Sequence, residues 1–582
     1  MRVLLLHPED SPRRGPWSRQ RWDLVVDLGK SSQFSHGAWS GQYGCPVLSA
    51  DSFRRGVADA RVVREILSAG LGCLIDEEGI DWWDLISLLL VPEVLNLLAF
   101  ERLTAQIDTA AEIWTTRPGW PASAMAILLG KSLRSFTAGR LASAAAGAGH
   151  YAALARRFSV AQIKEIFWDK YDSGYQWRSR LASPPERCGS SVVLLPSAYE
   201  NVSRMAADYA RLLPERPFLL VATRESAKRF TAPANVEVRD LAAYARPSSS
   251  TGETLSLIER WTKLRPKLHS SPQLHVLLQT GALDAMPEWL RNGIFARNAW
   301  REVIEREPLC SVLCGDDSNR FTRLPVLLAA ARKIPTADFH HGALDGRYLF
   351  KDLPCDVYLA KNVMEHDYLL RVCGLPGEKI VLAPPAAPRV SSSRRDIEQR
   401  SVVLFSEPYE AGGIRAEEFY REVLPPLLNM ARENGRGLTI KLHPFESRPQ
   451  RARLVREILG EDDAARVTIV DGPLTNGLIS QAWCGVTIES TTAIDCRQSG
   501  VCCFLCGWLS LAPYEYAQQY ARFGIGSVLH SVEDVREIPA RLAAFSTHPV
   551  SPEALDTPAD PAALQRWLKV GDCEPVGARH AS

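Results

Sequence analysis

Net charge is nearly absent from this sequence: 68 Lys and Arg stand against 67 Asp and Glu, a formal +1 over 582 residues. That balance gives no global pull toward nucleic acid or an anionic membrane, so any polyanion has to be met by a local site. Cysteine is sparse, 13 residues over the whole length; the dense spacing that staples a small secreted domain is missing, which fits a reducing cytosol. The one tight group, Cys502, Cys503 and Cys506, lies in an apolar run without a matching second pair. It reads as thiols of a core strand, since zinc needs four ligands. Long hydrophobic runs are missing too. Val3–Leu6 precedes His7, Pro8, Glu9 and Asp10 and is too short for a signal peptide. Leu85–Phe100, about 16 residues interrupted by Pro92, Glu93 and Asn96, falls short of the ~20 that a bilayer crossing needs, and is expected as a buried helix pair. A cytoplasmic protein follows, with peripheral membrane association left open.

What is present is apolar content, 46% of the chain, ample for the three or four domains that ~100–200 residues per domain predict. Punctuation by Pro, Ser and Arg at 183–187 and 384–395 marks linkers. It divides the chain into an N-terminal α/β domain (1–183), a Rossmann-like acceptor-side domain (188–390), a Rossmann-like nucleotide-donor domain (398–548) and a tail (549–582) with one short helix, 563–569. A weaker interruption at 247–252 is expected as a surface loop.

Within each block, apolar runs of four to seven residues alternate with stretches of helical periodicity, the pattern of parallel strands buried on both faces. Expected strands are 2–6, 24–28, 46–48, 73–75 and 112–115 in the first block. The middle block has 191–195, 218–222, 311–314, 337–339 and 357–360, and the last has 402–405, 438–442, 467–470, 485–488 and 502–505. The fold class is therefore α/β.

Ligands of open parallel sheets bind beyond the carboxyl ends of the strands, where helix N-termini present free N–H groups. Two such places stand out in the last block. Lys441, His443 and Pro444 close one strand, where the imidazole, protonated or as a neutral hydrogen-bonding group, grips a phosphate or else caps an ordinary turn. Glu489, Ser490, Thr491 and Thr492 close another, ahead of a helix over 493–498. Their hydroxyls and N–H groups form either a phosphate nest or a plain N-cap, and Glu489 either accepts from a ribose hydroxyl or pairs with Arg497. Gly412 and Gly413 allow close backbone approach to phosphate, or a flexible turn. In the middle block His340 and His341 follow a strand, and a neutral His can take a proton from an attacking hydroxyl. Asp316 and Asp317 do not assemble a metal ligand set, and Asp317 is expected to cap the helix after Thr322. In the first block Asp76, Glu77 and Glu78 offer a rival base, or else a solvated turn.

A strand ending in His443-Pro444, then about 45 residues on a strand ending in Ser490-Thr491, a helix and another apolar strand resemble the C-terminal half of GT-B glycosyltransferases. Bacterial sialyl- and polysialyltransferases, capsule Kdo transferases and CDP-glycerol glycerophosphotransferases carry such motifs. Phe339-His340-His341-Gly342 is similar to the His-Gly element of the CDP-glycerol type, and Asp76 to Gly79 to the acidic motif of sialyltransferases. The resemblance implies two Rossmann-like domains in a GT-B arrangement, preceded by an extra domain. It places the donor nucleotide and its phosphate on His443, Pro444, Ser490 and Thr491, and the acceptor-activating base on His341 or on Glu77 or Glu78. The implied function is metal-independent transfer of a sugar, or a polyol phosphate, from a nucleotide-activated donor to a hydroxyl of a surface glycan or glycolipid. No cofactor beyond the donor is implied, and nucleic acid is not a partner. A UDP-sugar 2-epimerase-like enzyme and a non-catalytic nucleotide-sugar-binding protein are the alternatives.

Overall fold

The computed structural model describes residues 1–107, 109–110, 112–136, 185–245, 251–386, 401–409, 413–444, 446–510, 513–547, 555 and 557–568. The protein is α/β, with three sheets in which all paired strands run parallel. The first holds β1 (Arg2–Leu6), β2 (Leu24–Asp27), β3 (Val47–Ser49), β4 (Glu112–Thr115) and β5 (Leu133–Ser135), in the order β3-β2-β1-β4-β5. The middle sheet holds β6 (Val192–Ser197), β7 (Phe218–Ala222), β8 (Val236–Asp240), β9 (Leu309–Cys314), β10 (Thr336–Asp338), β11 (Val357–Ala360) and β12 (Ile380–Leu382), ordered β12-β11-β10-β9-β6-β7-β8. The last holds β13 (Ser401–Phe405), β14 (Leu438–Lys441), β15 (Val467–Val470), β16 (Ala482–Thr487), β17 (Cys503–Cys506) and β18 (Gly526–Leu529), ordered β15-β14-β13-β16-β17-β18.

All three are wound alike. The first strand of each lies inside, the next two extend to one side and the remainder to the other. Each sheet therefore has a switch point, at β1/β4, β6/β9 and β13/β16, where a crevice opens beyond the carboxyl ends. The inner strands are solid with apolar side chains: Val402, Val403 and Leu404 of β13 and Leu194 and Leu195 of β6 have no exposed surface. β17 carries Cys503 and Cys506 of the cysteine run; a hydrogen bond with Cys496 and then burial push the Cys503 thiol up, and burial does the same to Cys506 and, just ahead of the strand, to Cys502, pushed up to about 12.

Contacts gather the chain into two compact units built from separated segments. One comprises Met1–Asp59, Glu93–Ile163 and Val390–Pro552; the other comprises Ala60–Pro92, Lys164–Arg389 and Glu553–Ser582. The first and last sheets thus share a unit, and Ala60–Pro92 joins the middle sheet. The linker-based division followed sequence order, which these contacts do not.

In the first unit the joint is Arg415. Its guanidinium donates to the carbonyls of Leu6 (3.2 Å), His7 (2.9 Å), Pro8 (2.8 Å) and Asp10 (2.5 Å) and to the Asp27 carboxylate (2.7 Å). Burial alone would raise the Asp27 carboxyl, but Arg415 and then His36 hold it well below the usual carboxylate range. Lys30 N also donates to Gly413 O at 2.9 Å, and Gly413 turns there at φ 74°.

In the second unit Trp82 fits against Gly293 of the helix Met286–Arg306, where any Cβ would stand 2.1 Å from the indole. The tail helix, expected at 563–569, spans Pro561–Trp567, and Leu564 and Leu568 pack into the core of the middle sheet.

Two expectations are corrected. Residues 73–75 form no strand: Asp76 N donates to Ile80 O and Gly79 turns at φ 80°, so the chain doubles back after a single bridge between Ile75 and Asp81. The apolar stretch expected at 85–100 is a longer continuous helical run, Trp82–Ile107, which by length and composition alone could cross a membrane, although 67% of its most apolar window is buried in the protein.

Candidate functional site

Sheet order alone brings three of the expected strand ends together. β14, β13 and β16 are neighbours, so His443, Glu407 and the 489–491 segment leave the same edge side by side. His443 N donates to Glu446 Oε2 (2.9 Å), and Glu446 is held in turn by Arg451 (2.7 Å). Burial, and then the charge of Lys441, push the His443 imidazole down to about 4. It is therefore neutral at pH 7 and offers hydrogen bonds, the second of the two forms that the sequence left open. Lys441 does not turn toward the β13/β16 crevice; its ammonium donates to the carbonyls of Leu442 and Gly472, 2.7 Å each. Pro444 sits in the exposed turn that follows.

The nest is filled from within. Glu407, two residues past β13, accepts through Oε1 from Thr487 Oγ1 (2.6 Å), Ile488 N (2.8 Å) and Glu489 N (2.9 Å). Burial raises its carboxyl, against the pull of these donors. The backbone N–H groups ahead of the helix Thr492–Gln498 are thus largely engaged, and what faces outward is the Ser490 and Thr491 side chains. Ser490 Oγ accepts from Thr492 N (3.3 Å), while Thr491 makes no cap bond of its own. Thr492 Oγ1 is buried without a partner among the described residues. Glu489 is buried and lies in the field of Lys30, whose ammonium burial lowers while Asp51 and Glu489 oppose that shift. Gly412 lies outside the described residues.

The middle sheet carries a second constellation. His340 and His341 follow β10 with ring centroids 4.6 Å apart, and neither Nδ1 has a hydrogen-bond partner among the described residues. Burial lowers both imidazoles; for His341 the nearby Asp316 opposes that shift. Both are neutral at pH 7 and able to accept a proton. Beneath them Arg347 bonds Asp316 (2.7 Å) and Asp345, Lys351 bonds Asp317, and Tyr348 donates to Asp338. Asp316 and Asp317 are thereby committed to cations of the chain, and among the described residues no group of three or more His, Cys, Asp or Glu could hold a metal ion. Asn319, and not Asp317, caps the following helix, accepting from Phe321 N at 2.9 Å.

The acidic turn of the first block is solvated only in part: Glu77 is exposed and Glu78 half-buried. Asp76 is buried, bonded to Arg297 (2.8 Å) and Trp82 Nε1 (2.9 Å), and Glu78 bonds Arg301 (3.2 Å) and Arg332 (3.1 Å). Glu77 N lies 3.4 Å from Glu253, a second partner of Arg297.

Lys30 carries no signal in the sequence, and Glu407 and Arg347 read there only as loop residues that follow a strand. Glu407 had the same signal as the others, a polar residue just past a buried strand, but its loop was read for the glycines.

No family model and no curated protein matches this chain. It is similar to several solved structures. One is the MnaA–UDP complex of S. aureus, at 13% identity and TM-score 0.41, covering 65% of this chain and 94% of that one. Another is the UDP-GlcNAc 2-epimerase of Neisseria meningitidis with bound UDP-GlcNAc, at 12% and 0.39, covering 66% and 98%. A third is the calicheamicin glycosyltransferase CalG4, at 14% and 0.38, covering 66% and 95%.

Proposed function

We propose that this protein is a nucleotide-sugar-dependent transferase that moves a sugar, or a polyol phosphate, to a hydroxyl of a surface glycan or glycolipid. The observation that carries the reading is the edge shared by β14, β13 and β16, where His443 and the Ser490 and Thr491 hydroxyls flank a switch point of a parallel sheet. In this reading the neutral His443 and the two hydroxyls bind the leaving phosphate by hydrogen bonds, and that stabilisation replaces a metal. Glu407 keeps the backbone beneath them rigid, and Glu489 takes a ribose hydroxyl. His341 removes the proton of the acceptor hydroxyl; being neutral at pH 7 it starts in the competent form. Glu78 is held between Arg301 and Arg332, which engage its two carboxylate oxygens and leave His341 the preferred candidate.

The test is a thermal-shift panel of CMP, CDP, UDP, GDP and dTDP, since a bound nucleotide adds RT ln(1 + [L]/Kd) of stability. One nucleotide should raise the melting temperature of the wild type and not that of His443→Ala, whose own melting temperature should stay close to wild type. Equal shifts in both proteins would remove His443 from the site.

A further inference from the structure

Between the loop that follows β1 and the helices Ala416–Glu433 and Arg448–Leu459 lies a cleft of about 420 Å³, wholly within the first unit and of the size of small-ligand sites. Of the donor candidates only Gly413 lines it; His443, Glu489, Ser490 and Thr491 do not. We propose that it binds a neutral, hydroxyl-rich ligand, a monosaccharide or the end of an oligosaccharide.

The chemistry of the lining selects that class. Its carboxylates are Glu9, Asp10, Glu417, Glu418 and Glu457, and each is already answered by a guanidinium. Arg117 bonds Glu9 and Asp10, Arg421 bonds Glu417, Arg13 bonds Glu418, and Arg14 and Arg453 bond Glu457. Its other cations, Arg415 and Arg451, are bonded to Asp27 and Glu446. Glu9 and Asp10 share Arg117 while Glu457 has two guanidiniums, so these five carboxylates and five guanidiniums balance over the cleft as a whole, and a charged ligand would have to displace one of the pairs. What remains open is one acceptor. Asp10 is 8% exposed, its Oδ1 is bonded to Arg117, and its Oδ2 has no partner among the described residues. A buried carboxylate oxygen without a donor is costly, and a hydroxyl supplies that donor without bringing charge. Gln450, exposed on the same wall, adds an amide able to donate and accept, the usual complement of a sugar hydroxyl. Pro8, Pro12, Ile414 and Leu454 give the apolar patches on which C–H faces of a ring can rest.

The binding claim stands apart from the transferase reading. Saturation-transfer-difference NMR on the full chain, with methyl glucoside, methyl galactoside, N-acetylglucosamine and maltose as probes and glucosamine and glucuronate as charged comparators, tests it. At least one neutral probe should give saturation transfer that both Asp10→Asn and Gln450→Trp weaken tenfold or more, while His443→Ala leaves it unchanged. Because Asp10→Asn also disturbs Arg117, the Gln450→Trp variant, altered only at an exposed helix position, decides if the first fails to fold. Silence from every neutral probe, stronger transfer from a charged comparator, or full binding by Gln450→Trp would each overturn the proposal. Loss of binding in His443→Ala would place the sugar in the donor site instead, and overturn it as well.

Discussion

Arg415 is the residue on which the first unit should depend most steeply. Arg415→Met keeps the length and apolar stem of the side chain but removes donors to four carbonyls and to the Asp27 carboxylate. Breaking one partner of a buried ion pair costs about 3–5 kcal/mol, because the remaining charge stays desolvated. His36, 3.1 Å from Asp27, offsets part of that, so the lower end of the range is expected. The loss is to be measured as the shift of the first urea transition, followed by tryptophan fluorescence, since the guanidinium lies 5.8 Å from the Trp39 ring. The pH dependence gives an independent sign. The depressed Asp27 carboxyl contributes stability that is fully present above the usual carboxylate pKa of about 3.9 and is lost as pH falls below it. In Arg415→Met the burial of Asp27 is opposed by His36 alone; its carboxyl rises, and mild acidification should narrow the gap to wild type. Asp27→Asn in the Arg415→Met background should then cost much less than the two single losses added. A loss under about 1 kcal/mol, or strict additivity in the cycle, would refute the idea that this pair clamps the two sheets.

Three further outcomes are expected at the candidate sites. Ser490→Ala with Thr491→Val should weaken nucleotide binding more than nucleoside binding in calorimetry, since hydroxyls and not the Glu407-bound N–H groups face outward; equal losses would make the pair a helix cap. His341→Ala should lower the transfer rate by roughly 10²–10⁴, the range for a lost general base. The acid limb of the wild-type pH profile should fall below about 6.5, because burial lowers the imidazole; a folded variant of unchanged rate would hand the role to Glu78. Transfer should survive EDTA, and full loss restored by one divalent ion would reopen Asp316 and Asp317.

The inner strands were legible as largely apolar runs: 2–6, 112–115, 218–222 and 357–360 match β1, β4, β7 and β11 residue for residue, and 467–470 matches β15, an edge strand without a buried position that is legible because Val-Thr-Ile-Val is β-branched throughout. The strands that went unread, β5, β8, β12 and β18, all lie at sheet edges. Each is half wet; β8 reads Val-Glu-Val-Arg-Asp with one buried position, and such a mixture carries no run to recognise. The residue types at the strand ends were legible as well. Their partners were not, because Glu407 under the nest and Arg347 under His341 are joined to them through the fold and not through spacing. The same holds for Asp76 of the acidic turn, whose burial depends on Arg297, 221 residues further on.

The discontinuous make-up of both units constrains how the chain can be made. Asp27 leaves the ribosome 388 residues ahead of Arg415, a delay of roughly 20–80 s at ~5–20 residues per second. Through that interval the first sheet holds a carboxylate at its carboxyl edge with no guanidinium to meet it. The nascent N-terminal segment therefore has to wait in a loosely ordered state, exposed to chaperones and proteases, and closes only when translation is about three-quarters done. Removal of residues 1–183 would not deliver a trimmed folded protein; it would leave Arg415 without its acceptors and the middle sheet without Asp76 and Trp82. Expression of either half alone should give aggregates, and co-expression of complementary fragments is the route by which this protein could be divided.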